Sequence, residues 1–139
     1  MRSPCVQATT TALVVPFTIG SNPGRNRLGS LAAPAGCEDS ARSFFGALLG
    51  LAEIEKPEPL RSRGGVWFRI GAQQLHVGVE PDFVPASKAH PAFSVAGYDE
   101  LQNRLLAVHV QLTNDNSIPG LRRCFIADPW GNRIELVEA

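Results

Sequence analysis

Apolar and polar positions along the chain fall into two copies of one pattern. Leu28 to Pro34 (LGSLAAP) is a short apolar run closed by proline and glycine, which predicts a strand. Glu38 and Asp39 then open a helical stretch at the end where acids suit the helix dipole. Ala41, Phe44, Phe45, Leu48 and Leu49 recur at helical spacing, and Gly50 stops the run. Residues 53–63 hold a short strand and a loop rich in proline and charge. GVWFRI (65–70) and QQLHVGV (73–79), joined through Gly71-Ala72, predict a hairpin. After a connection at 81–87 the order repeats. PAFSVA (91–96) predicts a strand, and YDELQNRLLAV (98–108) a helix with Leu101, Leu105 and Val108 on one side. A short strand near 110–113 follows, and LRRCFIA (121–127) and NRIELVE (132–138) flank the turn sequence Asp128-Pro129-Trp130-Gly131. Each copy reads β-α-β-β-β, an α+β class in which a helix covers one face of a sheet and leaves the other open. Two such modules side by side, roughly 28–80 and 88–139, curve into a trough.

Residues 1–27 stand apart as an atypical leader. The apolar stretch Ala12–Ile19 is short, is broken by Pro16 and is followed by no cleavage site, which argues against a secretory signal. A β-prone or disordered segment closed by the turn-rich SNPGRN is the simpler reading. With no counterpart in the second copy, residues 1–20 are expected to add little to the core.

Composition narrows the function classes. A chain of 139 residues with 44% hydrophobic and 19% charged residues has room for one compact domain with a normal core. Lys+Arg and Asp+Glu are both 13, so the net charge is zero and the basic excess of a nucleic-acid binder is missing. No apolar run approaches the roughly 18 residues a membrane span needs. Cys5, Cys37 and Cys124 form no CxxC pair, which points to a reducing cytosol. Cys37 and Cys124 read as packed thiols, and His109, at the end of the second helix, as structural.

Superposing the two copies sets Leu28 opposite His90 and His76 opposite Glu135. Alternation places Leu75, Val77 and Val79 on the face opposite His76, Ile134 and Leu136 opposite Glu135, and Phe93 and Val95 opposite His90. The apolar residues thus meet the helices, while His76, His90 and Glu135 point into the trough. Taken singly, each has a plain alternative: His76 solvated in a cleft, His90 bonding the loop before Pro91, Glu135 paired with Arg122, Arg123 or Arg133. Taken together at repeat-equivalent positions, they point to a shared metal site. Trp67 and Arg69 face the same trough, where Trp67 can floor a substrate pocket and Arg69 pair with an anionic group. The alternative is that Trp67 fills the trough and Arg69 reaches solvent. Arg122 and Arg123 are adjacent, so one of the two faces inward.

The segments LAAPAGCEDSARSFFGALLGL, GGVWFRIGAQQLHVGVE, KAHPAFSV and FIADPWGNRIELVE give the chain a resemblance to the vicinal oxygen chelate superfamily, with DPWGNRIEL the most specific piece. That superfamily includes glyoxalase I, extradiol dioxygenases, fosfomycin-modifying enzymes and bleomycin-binding resistance proteins. The resemblance implies metal ligands in the first and last strands of each module, here Leu28, His76, His90 and Glu135. Leucine binds no metal, which leaves two imidazoles and one carboxylate, a set suited to Fe, Mn, Ni or Zn. It further implies a homodimer, a small-molecule substrate, and lyase, isomerase or dioxygenase chemistry in which Glu135 is catalytic as well as a ligand. The other function class is a metal-free small-molecule or drug-binding protein of the bleomycin-resistance type. Neither reading calls for a nucleic-acid or membrane partner.

Overall fold

A computed structural model of the chain describes residues 18–20 and 29–139. Strand β1 (Thr18–Gly20) comes first. The first module follows as β2 (Gly29–Ala33), helix α1 (Glu38–Ala41) running on into a π-helical stretch (Arg42–Leu48), β3 (Ala52–Ile54), helix α2 (Glu58–Arg61), β4 (Val66–Ile70) and β5 (Gln73–Val79). The second is β6 (Ala92–Ala96), helix α3 (Tyr98–Ala107), β7 (Thr113–Asp115), β8 (Arg123–Ala127) and β9 (Arg133–Glu138). The sheet orders are β2-β5-β4-β3 and β1-β6-β9-β8-β7, so each module is the expected β-α-β-β-β unit in an α+β fold. In each, the first and last strands pair in parallel, Ser30 beside His76 and Ala92 beside Glu135. This shared register is the repeat seen in the sequence. Leu28, two residues before Ser30, and Cys5 lie outside the described residues.

Each sheet is apolar on its helix side. Leu31, Ala33, Val66, Phe68, Leu75 and Val77 are buried in the first, and Phe93, Val95, Cys124, Ile126, Ile134 and Leu136 in the second. The first helix differs from a plain α-helix. The Leu49 amide reaches back five residues to the Phe44 carbonyl at 3.0 Å, the wider turn of a π-helix. Phe44 and Phe45 are both buried; their rings meet edge to face at 5.0 Å, and Phe45 lies 5.7 Å from Phe68 in β4. The charged loop after β3 contains α2, which starts at Pro57-Glu58-Pro59, where a missing amide hydrogen costs a helix nothing. β4 enters through Gly65, whose φ is +85° and whose Cβ, if it had one, would lie 2.2 Å from the Val77 carbonyl oxygen.

The leader corrects an expectation. Thr18–Gly20 pairs antiparallel with β6, Ile19 opposite Val95, and Ile19 is only 6% exposed within the core. Among the described residues, β1 adds an edge to the second sheet only. Two further strands begin two or three residues later than the patterning predicts, β7 at Thr113 and β8 at Arg123. Among the described residues no helix is long and apolar enough to cross a membrane.

The modules are tied by the turn between β8 and β9. Asp128 Oδ1 accepts the amides of Trp130 (3.0 Å) and Asn132 (2.8 Å), and its Oδ2 accepts the Asn132 side-chain amide (2.7 Å). That same Asn132 Nδ2 donates to the Ala32 carbonyl of β2, also at 2.7 Å. Burial pushes the Asp128 carboxyl upward, while these donors pull it down.

Candidate functional site

Both sheets leave their second face open, and the predicted residues lie there. On the second sheet His90 stands just before β6, and Glu135, 9% exposed, lies in β9. His90 Nδ1 is 2.8 Å from the Lys88 carbonyl oxygen, which can only accept, so Nδ1 carries a proton and donates. This turns Nε2 onto Glu135 Oε2 at 3.0 Å. The other carboxylate oxygen, Oε1, accepts from Arg123 Nη1 at 2.9 Å. Arg123 Nη2 in turn donates to Asp115 Oδ2 at 2.8 Å and to Ser117 Oγ at 3.2 Å. The Glu135 carboxylate, followed by the other partners, holds the Arg123 guanidinium above its ordinary range. Arg123 Nε is buried without a hydrogen-bond partner among the described residues. The result is a chain of contacts, Asp115–Arg123–Glu135–His90, across β7, β8, β9 and the entry to β6.

Of the two adjacent arginines, Arg123 is the one on this face. Arg122 turns to the helix side, bonding Asp99 at 2.6 Å and Glu138 at 2.9 Å and lying 4.9 Å over the Tyr98 ring. The plain readings of His90 and Glu135 are thus present as well: the ring bonds the loop before Pro91, and the carboxylate pairs with Arg123.

On the first sheet Trp67 and His76 are cross-strand partners, and their rings stack at 3.5 Å with 5° between planes. His76 Nε2 is 3.0 Å from Gln74 Oε1, and burial lowers the tendency of the ring to take up a second proton. Arg69 is exposed on the same face beside Gln74. Within one chain the structure does not bring His76 to His90 and Glu135. Among the described residues no three His, Cys, Asp or Glu side chains are grouped to hold a metal. The face therefore carries a donor pair, His90 with Glu135, and a separate stacked imidazole.

No protein-family model matches the sequence, and no curated protein does. Among solved structures, a glyoxalase family protein from Bacillus anthracis is 44% identical, with a TM-score of 0.78 over 82% of this chain and 95% of that one. The chain belongs to the glyoxalase family, within the vicinal oxygen chelate superfamily. This glyoxalase family protein also shares its fold with a lactoylglutathione lyase from Agrobacterium tumefaciens, at 22% identity and a TM-score of 0.61 over 84% and 96% of the two chains. A fosfomycin resistance protein from Listeria monocytogenes shares it too, at 17% identity and a TM-score of 0.63 over 81% and 91%. The residues that sequence reasoning missed in this glyoxalase family protein are Asp115, Ser117 and Asn132. Only the single acid of the TND strand, close in sequence to the arginine pair, hinted at the first of them.

Proposed function

We propose that the protein is a divalent-metal-dependent enzyme acting on a small oxygen-chelating substrate, with His90 and Glu135 as the metal ligands of the second module. The observation that supports this most is the contact between His90 Nε2 and Glu135 Oε2 at 3.0 Å, with Nδ1 anchored on a backbone carbonyl. Donation from the second ring nitrogen to a carbonyl is the usual way a metal-ligating histidine is oriented. When the ring is singly protonated, Nε2 presents a lone pair beside a carboxylate oxygen, a donor pair that Fe, Mn, Ni or Zn accepts. Arg123 holds Oε1, so Glu135 offers one oxygen and is positioned as a ligand. Such an ion would act as a Lewis acid on two neighbouring substrate oxygens and stabilise the oxyanion that develops.

The third ligand of this reading is His76 of a second copy, in a homodimer that sets the first module of one chain against the second module of its partner. Burial disfavours the charged form of its imidazole, and the Trp67 stack fixes the orientation of the ring, both suited to a ligand. Trp67 and Arg69 then line the substrate side. Lyase, isomerase and dioxygenase chemistry all begin from the same polarised oxygens. One observation favours the metal-free binding protein instead: the Arg123–Glu135 pair already satisfies the carboxylate at 2.9 Å. Metal analysis of protein purified without chelator, followed by Zn, Ni, Mn and Fe(II) titration of wild type and Glu135→Ala, separates the two. Stoichiometric metal in wild type and at least tenfold weaker binding in the variant is the expected result. No metal and equal affinities select the binding protein.

A further inference from the structure

The open face of the second sheet carries two guanidinium groups in unlike surroundings. Arg123 is neutralised by two carboxylates, Asp115 and Glu135. Arg133 lies two residues before Glu135 on β9 and shares its face. Among the described residues it has no carboxylate or carbonyl partner; its guanidinium instead lies 4.2 Å over the Phe125 ring. A cation engaged through a ring face is held in place while its N–H donors remain available.

Those donors border a cavity of about 490 Å³ lined by Arg133, Phe125, Thr113, Gln111 and Ser87. The volume is in the range of small-ligand sites, and the hydroxyl and amide groups around the guanidinium can all bond an oxyanion. The cavity adjoins the candidate metal pair. Phe125 meets the His90 ring edge to face at 5.4 Å, and Ala86 lines both this cavity and the one of about 410 Å³ that holds His90. Two residues along a strand place Arg133 and Glu135 about 7 Å apart at their Cα atoms.

We propose that this cavity binds an oxyanionic group of the substrate, a carboxylate or a phosphonate, with Arg133 as its charged ligand. The proposal rests on the reading of this face as the substrate site. It adds that the substrate is a small anion.

The test is a ¹H–¹⁵N NMR titration of the full chain with acetate and, separately, methylphosphonate, in wild type, Arg133→Gln, Arg133→Lys and, as a control, Arg63→Gln, exposed in the loop after α2. Saturable shifts of the Arg133 Nε–H and of the Ser87 and Thr113 amides are expected. Arg133→Gln should weaken binding about tenfold or more. Arg133→Lys should keep part of it, and Arg63→Gln should match wild type. The tighter probe identifies the oxyanion class. No saturable shift with either anion, or equal binding in Arg133→Gln, overturns the proposal. Zinc titration on the same samples separates it from the metal reading. Zinc shifts at His90 without anion shifts at Arg133 overturn the anion site alone, and anion shifts without zinc shifts uphold it and overturn the metal site.

Discussion

Glu38 shows how a single side chain can join a helix start to a distant strand. Its Oε1 accepts the Gly65 amide at 3.0 Å, and this bond, ahead of its other interactions, holds the carboxyl below the usual range. A lowered folded-state pKa contributes stability above the unfolded value of about 4.3, and that stability is lost as pH falls through the folded value. Glu38→Gln keeps an acceptor but removes the charge. It should cost a few tenths of a kcal/mol to about 1 kcal/mol at pH 7, given solvent screening. Urea midpoints of the two proteins should converge as pH drops below about 4. At this scale the sequence was legible in part. Alternation assigned His76, Trp67 and Glu135 to the open faces, because a strand has only two sides. It left Arg122 and Arg123 open, since either neighbour can face inward until the register is known. The bond from Asn132 to the Ala32 carbonyl carries no local signal, because its partners are 100 residues apart.

Elements were legible where both copies carried them. The hairpin β4–β5, helix α3 and the paired strands β8 and β9 follow from periods of two and of 3.6 residues. The π-helical stretch was hidden because its apolar spacing also satisfies an α-helix. β1 was hidden for a different reason: three residues suffice to cap an edge, and what stabilises them is the β6 backbone more than 70 positions away. Its contribution can be measured. Ile19 is 6% exposed in the core, so Ile19→Ala should destabilise the protein by about 2–4 kcal/mol in urea unfolding. A chain starting near Arg25 should lose at least as much. Unchanged stability in both would mean that the strand rests on the sheet without holding it.

At the scale of the whole molecule, the separation of His76 from the His90–Glu135 pair gives the proposed homodimer a direct test. His76→Ala and Glu135→Ala each damage every site when pure. Co-refolded in equal amounts, half of the dimers are mixed, and in each of those one site carries both defects and the other carries neither. Tight metal binding should return to about a quarter of the wild-type stoichiometry. A site built within one chain would recover nothing, and light scattering on the same samples would show whether dimers form at all.

The pairing of β1 with β6 also imposes an order on biosynthesis. The ribosome releases Thr18–Gly20 first, yet their partner strand Ala92–Ala96 emerges only after the whole first module has left the exit tunnel. The first module can close its own four-stranded sheet during that interval, since all of its strand pairs lie within residues 29–79. β1 lacks its partner strand through that interval, and it enters the sheet only once the second module has begun to form.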